Sequence, residues 1–416
     1  TAKLVKVDSL IVTPNALPYK LDSLSTTVLK IINATVRIIN SRDENIAYGT
    51  FNKTNLSAIN LSWKELNNKE TIAQSLISKT TIESGESVFI NPKSKDKISW
   101  KQFSANPTSR TLLIAGLRLD PVSKRSNNLN LELLKMKGLD YDEFLLNRVL
   151  IAKSLVLKGL DLNLVEQQQN TQKLKLNAAH FETLSITNLN VRRRNGDTVN
   201  LRLKGVELIG TNVNIDQDTD SNLRSISYAT LTASIDGLMA FNKAGTSTTT
   251  TQQIKFNSID SILEISNLRK DPIIENTKKS DGVFQQRIAN IYVTGFNPNN
   301  KNLGERFSAR HIEICSPITN YSFFTSTTNK AQKNNSGIDM IQLQSWFFDS
   351  TKIRELTYQI LAVDNGSLSV VWKDKPREKV EERFEVNLYT VHSKDFNLRE
   401  TTRNTDGRLY YAKDHI

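Results

Sequence analysis

Apolar and polar residues alternate along most of this chain, and at eight places the alternation meets a Gly or Asn and resumes one residue out of phase. The copies are Ile114-Ala-Gly-Leu117, Met136-Lys-Gly-Leu139, Leu157-Lys-Gly-Leu160, Ile186-Thr-Asn-Leu189, Leu203-Lys-Gly-Val206, Ile235-Asp-Gly-Leu238, Ile265-Ser-Asn-Leu268 and Val293-Thr-Gly-Phe296. Successive side chains of a strand point to opposite faces. Leu155 and Leu157 would therefore share one face, and Leu160 and Leu162 the other. A β-bulge at the Gly removes the conflict: one extra residue in the left-handed region, which Gly and Asn tolerate, returns the apolar set to its first face and bends the strand. Repetition of the device predicts a mainly β fold, an elongated, curved antiparallel sheet of bulged strands whose apolar face forms an open groove, with few short helices.

The copies recur at irregular intervals of 17 to 32 residues. Solenoids with a fixed coil length keep a tighter period, because each coil stacks on the last. Connections of variable length suit a meander, in which each loop grows independently over the surface. Three segments follow: a β-rich head or cap over 1–110, with alternation at Ile59-Asn-Leu-Ser-Trp63 and basic loops from Lys93 to Lys101; the bulged strands over 111–325; and a helix followed by resumed groove over 338–416. The polar stretches Glu166–Lys173, Asp216–Asn222 and the Thr-rich Gly245–Gln253 read as solvated loops. The Ser/Thr/Asn/Lys run at 326–337 reads as the internal break.

One longer helix is expected, from Ser350 to Val363. Ile353, Leu356, Ile360 and Leu361 would share a face, Asp349 or Ser350 would cap the start, and Asn365-Gly366 would end it. Alternation resumes at Leu368, Val370 and Trp372 and again at Phe384, Val386 and Leu388. A short helical turn is expected from Asp140 to Asn147.

A sheet with one apolar face must cover it with helices, with a second sheet, by closing on itself, or with something other than this chain. Each large side chain left in water forgoes roughly 1.5–3 kcal/mol. Helix is scarce, so two coverings remain. One is closure as a sandwich. The other is a half-rolled trough whose lining is completed by lipid chains, lined by Ile114, Leu117, Met136, Leu139, Leu157, Leu160, Leu162, Ile186, Leu189, Leu203, Val206, Ile235, Leu238, Ile265, Leu268, Val293 and Phe296.

Composition narrows the chemistry. Of 416 residues, 38% are hydrophobic and only 7% aromatic, lean for a compact enzyme of this size. The single cysteine, Cys315, has no partner for a disulfide and reads as a small buried hydrophobe in His311-Ile-Glu-Ile-Cys315. No apolar run approaches the eighteen or so residues of a membrane span, and no signal peptide opens the chain. Because it begins at Thr1 without an initiator Met and stops just after a strand-like Arg408-Leu-Tyr-Tyr411, we expect a piece of a longer protein, with any anchor upstream.

The run from Met136 to Leu164, Met-Lys-Gly-Leu-Asp-Tyr-Asp-Glu-Phe-Leu-Leu-Asn-Arg-Val-Leu-Ile-Ala-Lys-Ser-Leu-Val-Leu-Lys-Gly-Leu-Asp-Leu-Asn-Leu, resembles the strand-turn-strand units of AsmA-like proteins of Gram-negative envelopes. The segment Leu356–Trp372, ending Gly-Ser-Leu-Ser-Val-Val-Trp, is similar to them too, and the resemblance extends in style over most of 110–411. It implies a periplasmic β-groove, held to the inner membrane by a segment outside this chain, with the architecture of bridge-like lipid transfer proteins. Such a protein supports phospholipid passage toward the outer membrane, with envelope proteins as partners at the groove ends. The chain departs from that family in lacking the N-terminal membrane helix and in its first hundred residues.

Motifs for catalysis are absent. His180, His311, His392 and His415 are far apart in sequence, and none has zinc-ligand spacing. There is no nucleophile elbow, P-loop or dinucleotide fingerprint. Asp140 and Asp142 read as turn residues. Asp216, Asp218 and Asp220 alternate as in a calcium loop but lack its Gly and distant Glu. No metal, cofactor or catalytic residue is therefore assigned.

The excess of 55 Lys and Arg over 43 Asp and Glu gives a net charge of +12, which attracts anionic surfaces. Its densest spot is Arg192-Arg193-Arg194, at an expected hairpin tip before Asn195-Gly196. Without aromatic residues to stack bases or a helix to read a groove, these arginines suit anionic headgroups or an acidic partner and not nucleic acid. Two classes remain: a non-enzymatic lipid-binding conduit of the envelope, and a structural or adhesive β-sandwich or solenoid without lipid cargo.

Overall fold

Long stretches rich in Ile, Val, Leu and Thr, free of proline and punctuated by Asn and Gly, form strands because branched side chains pack well on a pleated surface. The structure, a computed structural model, describes residues 9–12, 23–40, 43–64, 80–91, 94–123, 126–165, 176–195, 198–217, 224–241, 245–273, 283–296, 306–324, 355–373 and 380–399. The fold is mainly β. The chain divides into two units, broken between Leu231 and Thr232. That break falls inside the expected 111–325 segment. The 326–337 run, the Glu166–Lys173 loop and the residues from Asp218 to Asn222 lie outside the described residues.

The first unit contains β1 (Ser9–Val12), β2 (Ser23–Asn40), β3 (Asp43–Lys64), β4 (Thr80–Ser84), β5 (Ser87–Ile90), β6 (Lys97–Trp100), β7 (Gln102–Asn106), β8 (Thr111–Asp120), β9 (Asn128–Lys137), β10 (Val149–Val165), β11 (Ala178–Asn195), β12 (Thr198–Gln217) and β13 (Arg224–Ser227). β2 pairs with β3, and β3 with the short strands β4 and β5 end to end. These pair through β7 and β6 with β8, and pairing continues through β9, β10, β11 and β12 to β13. The expected head over 1–110 is thus not set apart, since its strands pair directly into β8.

In the second unit lie β14 (Thr230–Phe241), β15 (Ser247–Thr251), β16 (Gln253–Asn257), β17 (Ile262–Pro272), β18 (Val283–Thr294), β19 (Arg306–Cys315), β20 (Ile318–Phe324), β21 (Glu355–Lys373) and β22 (Val380–Arg399). β14 pairs with β15 and β16 end to end, both pair with β17, and the ladder runs on through β18, then β19 and β20, to β21 and β22.

Three expectations are corrected. The sheets are mixed and not purely antiparallel: β1–β2, β10–β11, β19–β21 and β20–β21 are parallel. A parallel neighbour needs a crossover of about a dozen residues or more, and the Val165–Ala178 and Phe324–Glu355 connections supply that length. The Thr-rich stretch is strand over Ser247–Thr251, with Thr251 buried, as the β propensity of Thr favours.

The third correction concerns the helix expected over Ser350–Val363, whose described part from Glu355 onward is β21. Tyr358 and Leu361 pack in one cluster although they are three residues apart. A strand that slips phase spaces its apolar residues as a helix does, so the two elements share one pattern here. Asn365, expected to end that helix, sits inside β21 with φ of 52°.

The helical turn expected at Asp140–Asn147 is present as a π-turn at Glu143–Asn147. The Asp140 carboxylate accepts the Glu143 backbone N–H at 3.1 Å, which gives that aspartate a capping role. Phe144 and Leu145 of the turn pack against the buried cluster of Met136, Leu139, Tyr141, Leu150, Ala152, Leu155, Phe181, Leu184 and Val213. The Tyr141 hydroxyl donates to the Thr111 carbonyl, and burial pushes its pKa up to about 12.

Candidate functional site

Residues directly opposite in a ladder share a face, so the registers sort the predicted lining into rows. In the first unit one row is Ile114, Leu134, Leu157, Ile186 and Leu208. The next is Leu117, Leu131, Leu160, Leu189 and Val206, and a third is Leu119, Leu129, Leu162, Val191 and Leu203. Between the first two rows lie the left-handed residues Gly116, Gly159 and Asn188, at φ of 63°, 58° and 54°, and between the second and third rows lies Gly205, at 60°.

The device differs from the expected bulge in one respect. A bulge sets two residues against one, yet pairing stays one-to-one across β8–β9, β9–β10 and β10–β11. β8, β10 and β11 make the left-handed step at the same level, and β9 crosses that level at Glu132, opposite Gly116 and Gly159, without a left-handed residue. The sheet is therefore creased along a line across β8 to β11, and the register shifts outside it, between β11 and β12 and between β2 and β3.

A second crease runs through Gly138 and Asn212, at φ of 66° and 48°. Beyond it Leu139, Ala152, Phe181 and Val213 are buried together with Met136, Leu155 and Leu184. Of the expected lining, Met136 and Leu139 thus belong to a closed core. Ile114, Leu117, Leu157, Leu160, Leu162, Ile186, Leu189, Leu203 and Val206 are half-buried. Lys135, Lys137, Lys153, Lys158, Asp161, Arg202 and Lys204 are exposed.

Left-handed steps also occur within the expected head over 1–110. Asn33 and Lys53 have φ of 51° and 49°. An apolar cavity of about 500 Å3 is lined by Ile31 and Val36 of β2, Phe51, Thr54 and Leu56 of β3, and Ile82, Ser84, Trp100, Phe103, Ile114 and Leu117. Residues on both sides of Asn33, of Lys53 and of Gly116 line one hollow, so the left-handed step does return the apolar set to its face. The volume lies within the range of about 300–1,000 Å3 typical of small-molecule pockets. The Trp100 indole N–H is satisfied by Ser84 Oγ at 2.9 Å, and its ring lies 5.6 Å from that of Phe51. Ile31-Ile-Asn-Ala34 carries the same apolar-x-Asn-apolar signature as the eight copies; Phe51, Trp100 and Phe103 have no such signal.

In the second unit Ile235, Ile254, Ile265, Ile291, Ile314, Val363 and Val391 form one row. Phe256, Leu263, Val293, Ile312 and Leu361 form the next. Val293 and Phe296, on either side of Gly295, pack in one cluster, where Phe296 stacks on Phe307 at 5.0 Å. Asn267 takes φ of 51° and returns Leu268 to the face, opposite Ile288. Gly237 keeps out of the left-handed region: there β14 changes partner, pairing with β16 up to Ile235 and with β15 from Leu238. Val293 is buried, and Ile235, Leu238, Ile265, Leu268 and Phe296 are half-buried.

The three arginines end β11, and Asn195 opposite Thr198 closes the expected hairpin. They do not form a single patch. Strand alternation places Arg193 in the row of Leu164 and Leu201 on the apolar face, with Arg192 opposite Asn163 and Arg202 on the reverse.

Other chemistry is thin. His180 pairs with Asn214 Oδ1 through Nδ1. Among the described residues no group of three or more His, Cys, Asp or Glu could hold a metal ion. Cys315 is half-buried, not buried: alternation places it on the face opposite Ile312 and Ile314, where its thiol donates to Glu313 at 3.5 Å. Burial, with the nearby Glu313 and Asp364, raises its pKa. No helix among the described residues is long and apolar enough to cross a membrane.

Comparison of the chain with protein-family models, with curated proteins and with solved structures finds no match.

Proposed function

We propose that this protein is a non-enzymatic lipid-binding groove that supports phospholipid passage between the inner and outer membranes of a bacterial envelope. The observation that carries the reading is the apolar cavity of about 500 Å3, lined across three creased strands and continuous in register with half-buried apolar rows. Side chains sealed under a second layer would be buried as Leu139 is, at 1% exposure. Leu157, Leu160 and Leu189 are instead half-buried, as befits a face completed by acyl chains. A periplasmic location, an inner-membrane anchor beyond this chain and envelope partners at the groove ends are part of the proposal, which draws them from the resemblance of the Met136–Leu164 run to AsmA-like proteins.

Protein purified gently from cells should carry co-extracted phospholipid, detectable by mass spectrometry. Leu160→Asp or Val206→Asp should expel that lipid while leaving the far-ultraviolet circular dichroism of the sheet intact. Recovery of no lipid from the wild type, together with unfolding of both variants, would show that the face is an internal core and favour the structural or adhesive alternative.

A further inference from the structure

The cavity of the first unit runs across successive places in the ladder. Ile31 of β2, Phe51 of β3, Ile82 of β4, Trp100 of β6 and Ile114 of β8 all line it. β2 pairs with β3, and β3 reaches β8 through β4 and β7 or through β5 and β6. Neighbouring strands lie about 4.8 Å apart, so the hollow is about 19 Å long. An extended chain advances about 1.2 Å per bond, and about sixteen carbons span that length. Volume gives the same scale. A dry cavity of about 150 Å3 holds the six carbons of benzene, so the one here, of about 500 Å3, holds about twenty. One long acyl chain fits; two do not.

The chemistry of the lining admits hydrocarbon and excludes a head. Its only polar side chains are Thr54, Ser84 and Trp100, and each is already engaged. The Thr54 hydroxyl donates to the Phe51 carbonyl at 3.0 Å, and the Trp100 indole N–H donates to Ser84 Oγ at 2.9 Å. A phosphate or ester brought inside would lose its water and gain no partner, which costs more than the burial of its carbons returns. Phe51 and Phe103 flank Trp100, with ring centres 5.6 and 6.2 Å from it, and rings with two rotatable bonds make a stiff wall. At its other side the cavity reaches Ile114 and Leu117, where the half-buried rows of β8 to β12 begin.

We propose that this cavity is a seat for one acyl chain, entered methyl end first, which selects lipids by chain length and leaves the headgroup and any second chain outside on the rows that begin at Ile114 and Leu117. This rests on the lipid-groove reading and adds to it a measure of the ligand: one chain of about sixteen to twenty carbons.

The test titrates the full chain with saturated lysophosphatidylcholines of increasing chain length, below their micelle-forming concentrations, and follows tryptophan fluorescence. Affinity should rise about fourfold with each added methylene, the gain from burying one CH2, and level off at about sixteen to twenty carbons. Lysophosphatidylglycerols should level off at the same length, because the head stays outside. Val36→Phe adds four carbons to the lining and should shorten the plateau by about as many; Ile82→Phe, at a more exposed lining position, gives the same readout should Val36→Phe not fold. A chain brominated near its methyl end should quench the fluorescence, and Trp100→Phe should remove that quenching with bound lipid, counted by mass spectrometry, unchanged. Affinity that climbs without a plateau, a plateau that neither Phe variant moves, or quenching that survives Trp100→Phe overturns the seat. Where lipid still co-purifies with the protein, each of these leaves the groove standing. Binding of no lysolipid, with no lipid co-purified, overturns both.

Discussion

The crease is most sharply tested at Gly295. It holds φ of 70°, a conformation that costs an L-residue roughly 1–2 kcal/mol. A methyl group added there would stand 2.6 Å from Arg310 Cβ and 3.0 Å from the Arg310 backbone nitrogen, so β19 itself must shift. Gly245 is the internal control: its φ is 68°, and an added Cβ meets nothing within 4 Å. Alanine also lowers the entropy of the unfolded chain, which returns about 0.4–1 kcal/mol at either position. Gly245→Ala should therefore cost about 1 kcal/mol. Gly295→Ala carries the same conformational cost plus roughly 1–3 kcal/mol for overpacking, and should cost about 2–4 kcal/mol. Urea unfolding followed by circular dichroism measures both. Equal losses would show that β18 and β19 do not approach each other closely at the left-handed step, and the crease as described would be wrong.

Three further outcomes follow from the same geometry. Leu139→Ala should lose about 2–5 kcal/mol because its packed surroundings leave a cavity, whereas Leu157→Ala on the half-buried row should lose clearly less; thermal unfolding of the two variants orders them. Tyr141 has its folded pKa raised to about 12, against an ordinary value of about 10, so the folded state holds the proton more tightly. Its contribution is complete below about pH 10 and lost as pH rises toward 12; Tyr141→Phe should flatten that part of the stability–pH curve, with Tyr228, raised to about 12 by burial, accounting for what remains. Asn188→Gly should be tolerated with lipid content unchanged, because Gly accepts φ of 54° at least as well; loss of bound lipid on that change would mean that the Asn side chain, and not its backbone, serves the face.

Several features were legible in the residues because they are local. The phase slip at Leu157-Lys-Gly-Leu160 announced both the left-handed residue and the return of Leu160 to the face of Leu157. It failed where another route produced the same spacing. At Ile235-Asp-Gly-Leu238 a change of strand partner stands in for the left-handed step, and in β21 the slip imitated a helix. Lys53 gave no sign of its positive φ, since Lys is not a residue that favours it.

The chain's sequence alone determined that it forms strands, where they bend, and which side chains share a face, because alternation and left-handed backbone are properties of single residues and their neighbours. Only the tertiary structure decided which strands lie parallel and that creases in separate strands align. It alone set Leu139 in a closed core while leaving Leu160 half open. Those outcomes depend on register between segments tens of residues apart, and each strand's own pattern is compatible with more than one partner.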